Sequence, residues 1–129
     1  MTGKRILYIE DNSESRTLVR RVLTAEGYTL IEAVDGWTGL RAIEENLPDL
    51  IIIDINLPGL DGYEVTSRIR MMPRLARIPI IAMTANVMQG DREKSLAAGC
   101  DGYIQKPIDI DLLPEQVVKF LSRNSHESN

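Results

Sequence analysis

Five polar residues stand where apolar runs of the sequence end, and their types suit one kind of chemistry. They are Glu10, Asp11, Asp54, Thr84 and Lys106. Three carboxylates held close together repel one another, and a single lysine leaves two of their negative charges uncompensated. A divalent cation would balance the group. Because the available ligands are all oxygen atoms, the residue types predict Mg²⁺, with Mn²⁺ as the alternative.

The same group of side chains is suited to phosphoryl transfer. A carboxylate can act as a nucleophile and become an aspartyl phosphate. Lys106 and a bound Mg²⁺ would neutralise charge on the phosphoryl oxygens, and the Thr84 hydroxyl can donate a hydrogen bond to one of them. The side chain of Ala85 is small and leaves room for the incoming group.

These residues are scattered along the chain, so the fold must bring them together. Five apolar runs rich in β-branched residues are continuous rather than alternating, which is typical of strands covered on both faces of a parallel sheet. The predicted strands are residues 6–9, 28–34, 50–53, 78–83 and 102–104.

A helical pattern follows each of these runs. Asn12 or Ser13 can cap the first helix and Gly27 can end it, while Gly99 is the end signal of the fourth. The pattern is lost after residue 122, so we expect one domain over residues 1–123 and a polar C-terminal tail over residues 124–129. The predicted helices are residues 13–26, 36–47, 62–72, 91–98 and 109–122.

This alternation of strands and helices predicts an α/β fold. Right-handed crossovers with helices on both faces give a doubly wound, five-stranded parallel sheet of order 2-1-3-4-5, the flavodoxin-like (βα)5 architecture. Ligands of such sheets bind at the carboxyl ends of the strands, near the reversal between the first and third strands. The five polar residues are therefore predicted to converge at that edge.

Composition narrows the classes of function. The 129 residues include 15 basic and 19 acidic side chains, a net charge of −4, which argues against direct binding of nucleic acid through bulk charge. The sequence has neither a secretory signal nor a run of membrane-spanning length, so we expect a cytoplasmic protein without a membrane partner. The only cysteine, Cys100, is expected to be an inert buried thiol, and the only histidine, His126, excludes a Ser-His-Asp or Cys-His triad together with most zinc sites.

Four motifs resemble the receiver domain of two-component response regulators, over roughly residues 5–120. The resemblance is to the single-domain type found in chemotaxis and cell-cycle regulation, and the Met1 start with a short polar tail favours a free-standing regulator over a domain of a longer protein. The motifs are Ile9-Glu10-Asp11-Asn12, residues 53–62 around Asp54, Thr84-Ala85 and Tyr103-Ile104-Gln105-Lys106-Pro107.

The resemblance implies a role for each acidic residue. Asp54 corresponds to the phosphoacceptor. Glu10, Asp11 and Asp54 correspond to the metal-binding acids, and the backbone carbonyl of Asn56 to a further metal ligand. Many members carry aspartate at the position of Glu10, and the longer glutamate favours contact with the metal through water.

The resemblance also implies how the phosphoryl group is bound and sensed. Thr84 and Lys106 would bind the group, and the ring of Tyr103 would turn inward when Thr84 moves. A cis Lys106–Pro107 bond is common in the family. Asn56 and Asn86, each two residues beyond a site residue, are interpreted either as residues that control water access or as loop caps.

The function implied is that of a phosphorylatable signalling switch rather than an enzyme. A histidine kinase or histidine phosphotransfer domain would donate its phosphoryl group to Asp54, and the face formed by the fourth helix, fifth strand and fifth helix would then bind a downstream protein target differently. The first helix, with Arg16, Arg20 and Arg21, is either a solvated face or the dock for the phosphohistidine partner.

Three alternatives accompany this interpretation. A receiver-like scaffold would bind partners without being phosphorylated. A Mg²⁺-dependent aspartyl phosphatase would carry a second aspartate where this sequence has Asn56. A flavodoxin-type cofactor protein would share the fold but would leave the acidic residues without a role.

Overall fold

The five apolar runs form one parallel sheet in the computed structural model, which describes residues 3–85 and 89–127, with side chains except those of residues 89–92, 95 and 123–127. The strand order is 2-1-3-4-5, as predicted from the sequence. The strands are β1 (Arg5–Ile9), β2 (Thr29–Ala33), β3 (Leu50–Asp54), β4 (Ile80–Thr84) and β5 (Gly102–Gln105).

Helices follow the strands in the predicted order. The Asn12 side chain caps the first helix by accepting a hydrogen bond from the backbone N–H of Ser15, and Gly27 follows that helix with a φ of 95°. The helices are α1 (Ser13–Ala25), α2 (Gly36–Glu45), α3 (Gly62–Arg70), α4 (Gln89–Ala98) and α5 (Leu112–Glu127).

Several element boundaries differ from the sequence prediction by a few residues, among them the start of β4 and the ends of α3 and α5. β4 begins at Ile80 instead of residue 78, because Pro79 has no N–H for the sheet. α3 ends at Arg70, and a 3-10 turn at Pro73–Leu75 follows it. α5 continues to Glu127, beyond the predicted helix end at residue 122, since adding residues to an existing helix requires no new nucleation.

Both faces of the sheet are buried because alternate residues of each strand point to opposite sides. Ile51 and Ile53 of β3 pack in the core beneath α2 and α3, whereas Leu50 and Ile52 pack in the core beneath α1 and α5. The apolar core therefore occupies the whole length of the central strands. Polar side chains follow only where those strands end, at the carboxyl edge of the sheet.

Candidate functional site at the carboxyl edge of the sheet

Three carboxylates converge at the ends of β1 and β3. One oxygen each from Glu10, Asp11 and Asp54 lie within 4.8 Å of one another. Glu10 is fully buried and Asp54 is 4% exposed, whereas Asp11 is open to solvent. β1 and β3 are adjacent and parallel, with Ile9 opposite Ile53, so the residues that follow them are brought to the same edge. The predicted convergence of the acidic residues is confirmed.

Lys106 supplies the positive charge of this cluster. Its Nζ lies 2.8 Å from Glu10 Oε1 and 3.2 Å from Asp54 Oδ2. Partial burial disfavours the charged ammonium, but its hydrogen bond to Glu10 and the negative charges of Asp54 and Glu10 outweigh this effect. The pKa of Lys106 therefore lies above its ordinary value. Lys106 is therefore a cation at neutral pH, held between two carboxylates 96 and 52 residues away in the sequence.

Asp54 is held at the end of β3 by its neighbours. Its Oδ1 accepts a hydrogen bond from the backbone N–H of Asn56 at 3.0 Å, and its Oδ2 faces Lys106. The start of α3 passes close behind it. A Cβ atom placed on Gly62 would lie 2.6 Å from the Asp54 carbonyl oxygen and 2.8 Å from the Ile55 Cα, so only glycine allows this approach.

Glu10 has the most saturated hydrogen bonding of the three acids. Its Oε1 accepts from the Tyr8 hydroxyl at 3.1 Å as well as from Lys106, and its Oε2 accepts from the backbone N–H of Asn12 at 3.3 Å. Its backbone carbonyl accepts from the Arg16 guanidinium at 2.8 Å. Burial and the adjacent Glu10 charge raise the pKa of Tyr8, so its hydroxyl stays protonated and donates.

Two of these partners were not predicted as site residues. Tyr8 was assigned only to the first apolar strand. Glu10 directly follows β1 and continues its pairing with Ala33, so the spacing of two places both side chains on the same side of the sheet. Arg16 was interpreted as either solvated or part of a docking face. It contacts the Glu10 carbonyl, and its Nε lies 3.6 Å from Glu32, which also pairs with Arg20 at 2.6 Å.

Thr84 and Tyr103 lie on the last two strands. Thr84 is buried at the end of β4, and its carbonyl accepts from the Lys106 N–H at 2.8 Å, which fixes where the lysine leaves β5. Tyr103 is half-buried on β5 and packs beside the core under α2 and α3. The Lys106–Pro107 bond is cis. Asn86 lies outside the described residues.

Comparison with known proteins identifies the family. The family model of the response regulator receiver domain matches residues 6–118. The polar-differentiation response regulator DivK of Brucella anthropi is 38% identical over 118 residues, which are 92% of this chain and 96% of DivK.

The chain belongs to the response regulator receiver family. It is therefore a receiver domain of two-component signalling, the class of domain that serves as a phosphoacceptor switch and works with histidine kinases and downstream targets.

Solved receiver structures share its architecture. The receiver domain of sensor histidine kinase PA1611 from Pseudomonas aeruginosa is 38% identical, has a TM-score of 0.87 and matches 94% of this chain and 99% of that one. Its structure has a magnesium ion coordinated in the active site cleft. The chemotaxis protein CheY4 of Vibrio cholerae is 26% identical, has a TM-score of 0.88 and matches 91% of this chain and 98% of that one.

The donor set of this receiver domain fits a hard divalent cation. Its clustered acids offer carboxylate oxygens, and Asp11 is exposed, so that a metal retaining several waters has access from solvent. Cys100, by contrast, is buried away from this edge, and burial raises the pKa of its thiol to about 11. The predicted burial of the thiol is confirmed, and its inertness stays a prediction.

No helix among the described residues is both long enough and apolar enough to cross a membrane.

Proposed function

We propose that Asp54 is the phosphoacceptor of this receiver domain and that Lys106 and Thr84 bind the transferred phosphoryl group. The observation that carries the proposal is the position of Asp54, whose Oδ2 lies 3.2 Å from Lys106 in a cluster with two other carboxylates. A lone loop aspartate has no such surroundings. A carboxylate beside a fixed ammonium and a cation-binding cluster can receive a group that carries several negative charges.

The metal ligands we propose are Asp11, Asp54 and the backbone carbonyl of Asn56, with Glu10 reached through water. Mg²⁺ is the proposed ion and Mn²⁺ a substitute. When bound, the ion would supply positive charge against the phosphoryl oxygens. Glu10 suits an indirect role, because three donors already contact its two oxygens.

The reaction proposed is transfer from a phosphohistidine of a histidine kinase or a histidine phosphotransfer domain. An Asp54 carboxylate oxygen forms the new bond to phosphorus while the bond from phosphorus to the imidazole nitrogen breaks. The electron pair of the broken bond stays on that nitrogen, which takes up a proton from solvent. Lys106 donates to one phosphoryl oxygen and the Thr84 hydroxyl to another. The fixed positions of these donors lower the barrier, since phosphoryl transfer depends mainly on positioning and charge stabilisation.

The output we propose is a population shift at the α4–β5–α5 face, which binds a downstream protein target. Phosphorylation raises the negative charge at Asp54 from one to about two. Thr84 and Lys106 then move toward the phosphoryl group, and Tyr103, which is half-buried, turns into the space that Thr84 leaves. The outcome is a two-state equilibrium biased by the new charge.

The docking surface we propose for the phosphohistidine partner is α1. A groove of about 370 Å³ runs beside α1 from Asn12 and Leu18 to Lys106 and Pro107, and so reaches the site itself. Arg20 and Arg21 lie exposed on the same helix.

We place the protein in the cytoplasm, where a free thiol such as that of Cys100 is stable. We also propose a regulatory role without enzymatic turnover, because Asn56 has no titratable group to act as acid or base.

The deciding experiment is phosphorylation by labelled acetyl phosphate with Mg²⁺. The wild-type protein should take up one phosphoryl group, and Asp54→Asn should take up none while keeping the same circular dichroism spectrum. Asp61→Asn is the matched control, because Asp61 caps α3 outside the cluster. Labelling of the Asp54→Asn protein would refute the assignment. A wild type that shows no uptake and no response to beryllofluoride would support the scaffold alternative, and repeated turnover of small phosphate esters would support the phosphatase.

A further inference from the structure

Tyr8 is a polar-tipped residue within the buried, otherwise apolar part of β1 that follows Arg5. Its side chain is fully buried in the core beneath α1 and α5, yet its hydroxyl lies 3.1 Å from Glu10 Oε1 and 3.5 Å from Met83 Sδ. A buried phenol needs a partner for its O–H, and the carboxylate is a far stronger acceptor than the thioether. The hydrogen bond of Tyr8 is therefore directed at the functional site.

Strand geometry makes this contact specific. Tyr8 lies on β1 and Glu10 is the residue that directly follows the strand. The Glu10 N–H still pairs with the Ala33 carbonyl of β2 at 2.9 Å, so the alternation of the strand continues and both side chains leave the same side. The ring of Tyr8 packs in the core, and its hydroxyl reaches the Glu10 carboxylate at the carboxyl edge of the sheet. Only Ile9 separates the two residues in the sequence, so the backbone places their side chains next to each other.

Tyr8 and Lys106 share one oxygen of Glu10. Both donate to Oε1, at 3.1 Å and 2.8 Å, and Lys106 also contacts Asp54 at 3.2 Å. The contacts form a chain from a rigid buried ring through Glu10 to Lys106 and Asp54. Glutamate and lysine side chains have many rotamers, so an anchor inside the core limits where the ammonium can be.

We propose that Tyr8 is a positioning residue for phosphoryl transfer, whose hydroxyl fixes the Glu10 carboxylate and thereby holds Lys106 against Asp54. The inference rests on the proposed function of Asp54. It makes Glu10 an anchor for Lys106 in addition to a group near the metal. Tyr8→Phe removes only the hydroxyl and keeps the ring that packs in the core.

The first test measures the freedom of Lys106 in the metal-free protein. Pulsed acetylation with acetic anhydride, read by mass spectrometry, gives the labelling of Lys106 relative to exposed Lys119 on α5. Tyr8→Phe should raise this ratio about tenfold, the factor equivalent to one hydrogen bond to a charged group. An unchanged ratio would overturn the proposal. A general loss of stability would also raise the ratio, because Lys119 is already exposed, and the Tyr28→Phe variant separates these two causes.

Tyr28→Phe is the matched control. Tyr28 belongs to the same core as Tyr8 but lies just before β2, at the opposite edge of the sheet from the site. Removing the Tyr28 hydroxyl should leave the ratio of Lys106 to Lys119 labelling as in wild type. A ratio that rises equally in both variants would show that core packing, and not the hydroxyl of Tyr8, governs the lysine, and would overturn the proposal.

The second test is the rate of phosphorylation at saturating Mg²⁺ and acetyl phosphate. Tyr8→Phe should slow the step about tenfold in the wild-type background, and it should have no further effect in a Glu10→Ala background, where the anchored carboxylate is absent. Equal effects in both backgrounds would refute action through Glu10. If wild-type protein is not phosphorylated, the proposed function fails. If it is phosphorylated and Tyr8→Phe equals it in rate and in lysine labelling, this inference alone fails.

Discussion

Replacing Lys106 with methionine should destabilise the metal-free protein and make Mg²⁺ a stronger stabiliser. Methionine keeps an unbranched apolar stem and removes the ammonium. Glu10, fully buried, and Asp54, 4% exposed, then share the edge of the sheet with Asp11 and no cation between them. Repulsion that the lysine now offsets would act directly against folding.

The magnitude follows from burial and contact distance. Removing one partner of a buried ion pair costs about 3–5 kcal/mol, since it leaves an uncompensated charge. The Lys106 side chain is 21% exposed, so water screens part of its interaction and the lower end of that range applies. We expect the free energy of unfolding to fall by about 3 kcal/mol, a large share of the roughly 5–15 kcal/mol typical of a domain.

Urea unfolding in EDTA and in Mg²⁺ measures both effects. A ligand present at 100 times its dissociation constant stabilises the folded state by about 2.7 kcal/mol. In the Lys106→Met protein the carboxylate cluster has one more uncompensated negative charge than in wild type, so Mg²⁺ should bind it more tightly. Mg²⁺ should therefore remove most of the difference in unfolding free energy between the variant and wild type. Lys119→Met, which removes an exposed lysine of α5, is the control and should unfold like wild type under both conditions.

Two outcomes would refute this reasoning. If Lys106→Met unfolds in EDTA at the same urea concentration as wild type, the ammonium does not offset carboxylate repulsion. If Mg²⁺ stabilises the variant no more than it stabilises wild type, the three carboxylates do not act as one cation-binding cluster.

Three further substitutions test contacts that support the site and the fold. Gly62→Ala should destabilise the protein by about 1–3 kcal/mol in urea unfolding, because its Cβ would meet the backbone at the end of β3; wild-type stability would contradict that close approach. Arg70→Lys should cost about 2 kcal/mol, because the guanidinium donates to four backbone carbonyls and to Asp101, which a lysine cannot match; a midpoint unchanged from wild type would rule this out. Asp35→Ala should cost about 1 kcal/mol at pH 7, since Asp35 caps α2. The side-chain and backbone hydrogen bonds from Thr38 lower the pKa of Asp35, so the stability that the charged cap contributes is present above the unfolded-state pKa of about 3.9 and is lost as pH falls through the lower folded value. The difference in unfolding free energy between wild type and Asp35→Ala should therefore shrink below about pH 4. A constant difference down to about pH 2 would refute the charged cap.

The order of the strands and the edge that carries the site were predictable from the sequence. Continuous apolar runs, such as Leu50 to Ile53, indicate strands covered on both faces, and the helical patterns between them favour a parallel sheet with helices on each side. Once that sheet is assumed, Glu10, Asp54 and Lys106 must meet at its carboxyl edge. Element ends were less predictable, because α3 ends and α5 extends according to local backbone geometry and not to apolar periodicity.

The sequence by itself determined which residue types end the strands, and therefore that three acids and a lysine would share one edge. Tertiary structure alone decided how those side chains connect: that Glu10 Oε1 accepts from both Tyr8 and Lys106, and that Arg16 reaches the Glu10 carbonyl. The physical reason is that strand placement follows from burial, which is written in the pattern of apolar residues. Hydrogen bonds between side chains distant in the chain depend instead on rotamers and on separations of a few tenths of an ångström, which only the packed fold sets.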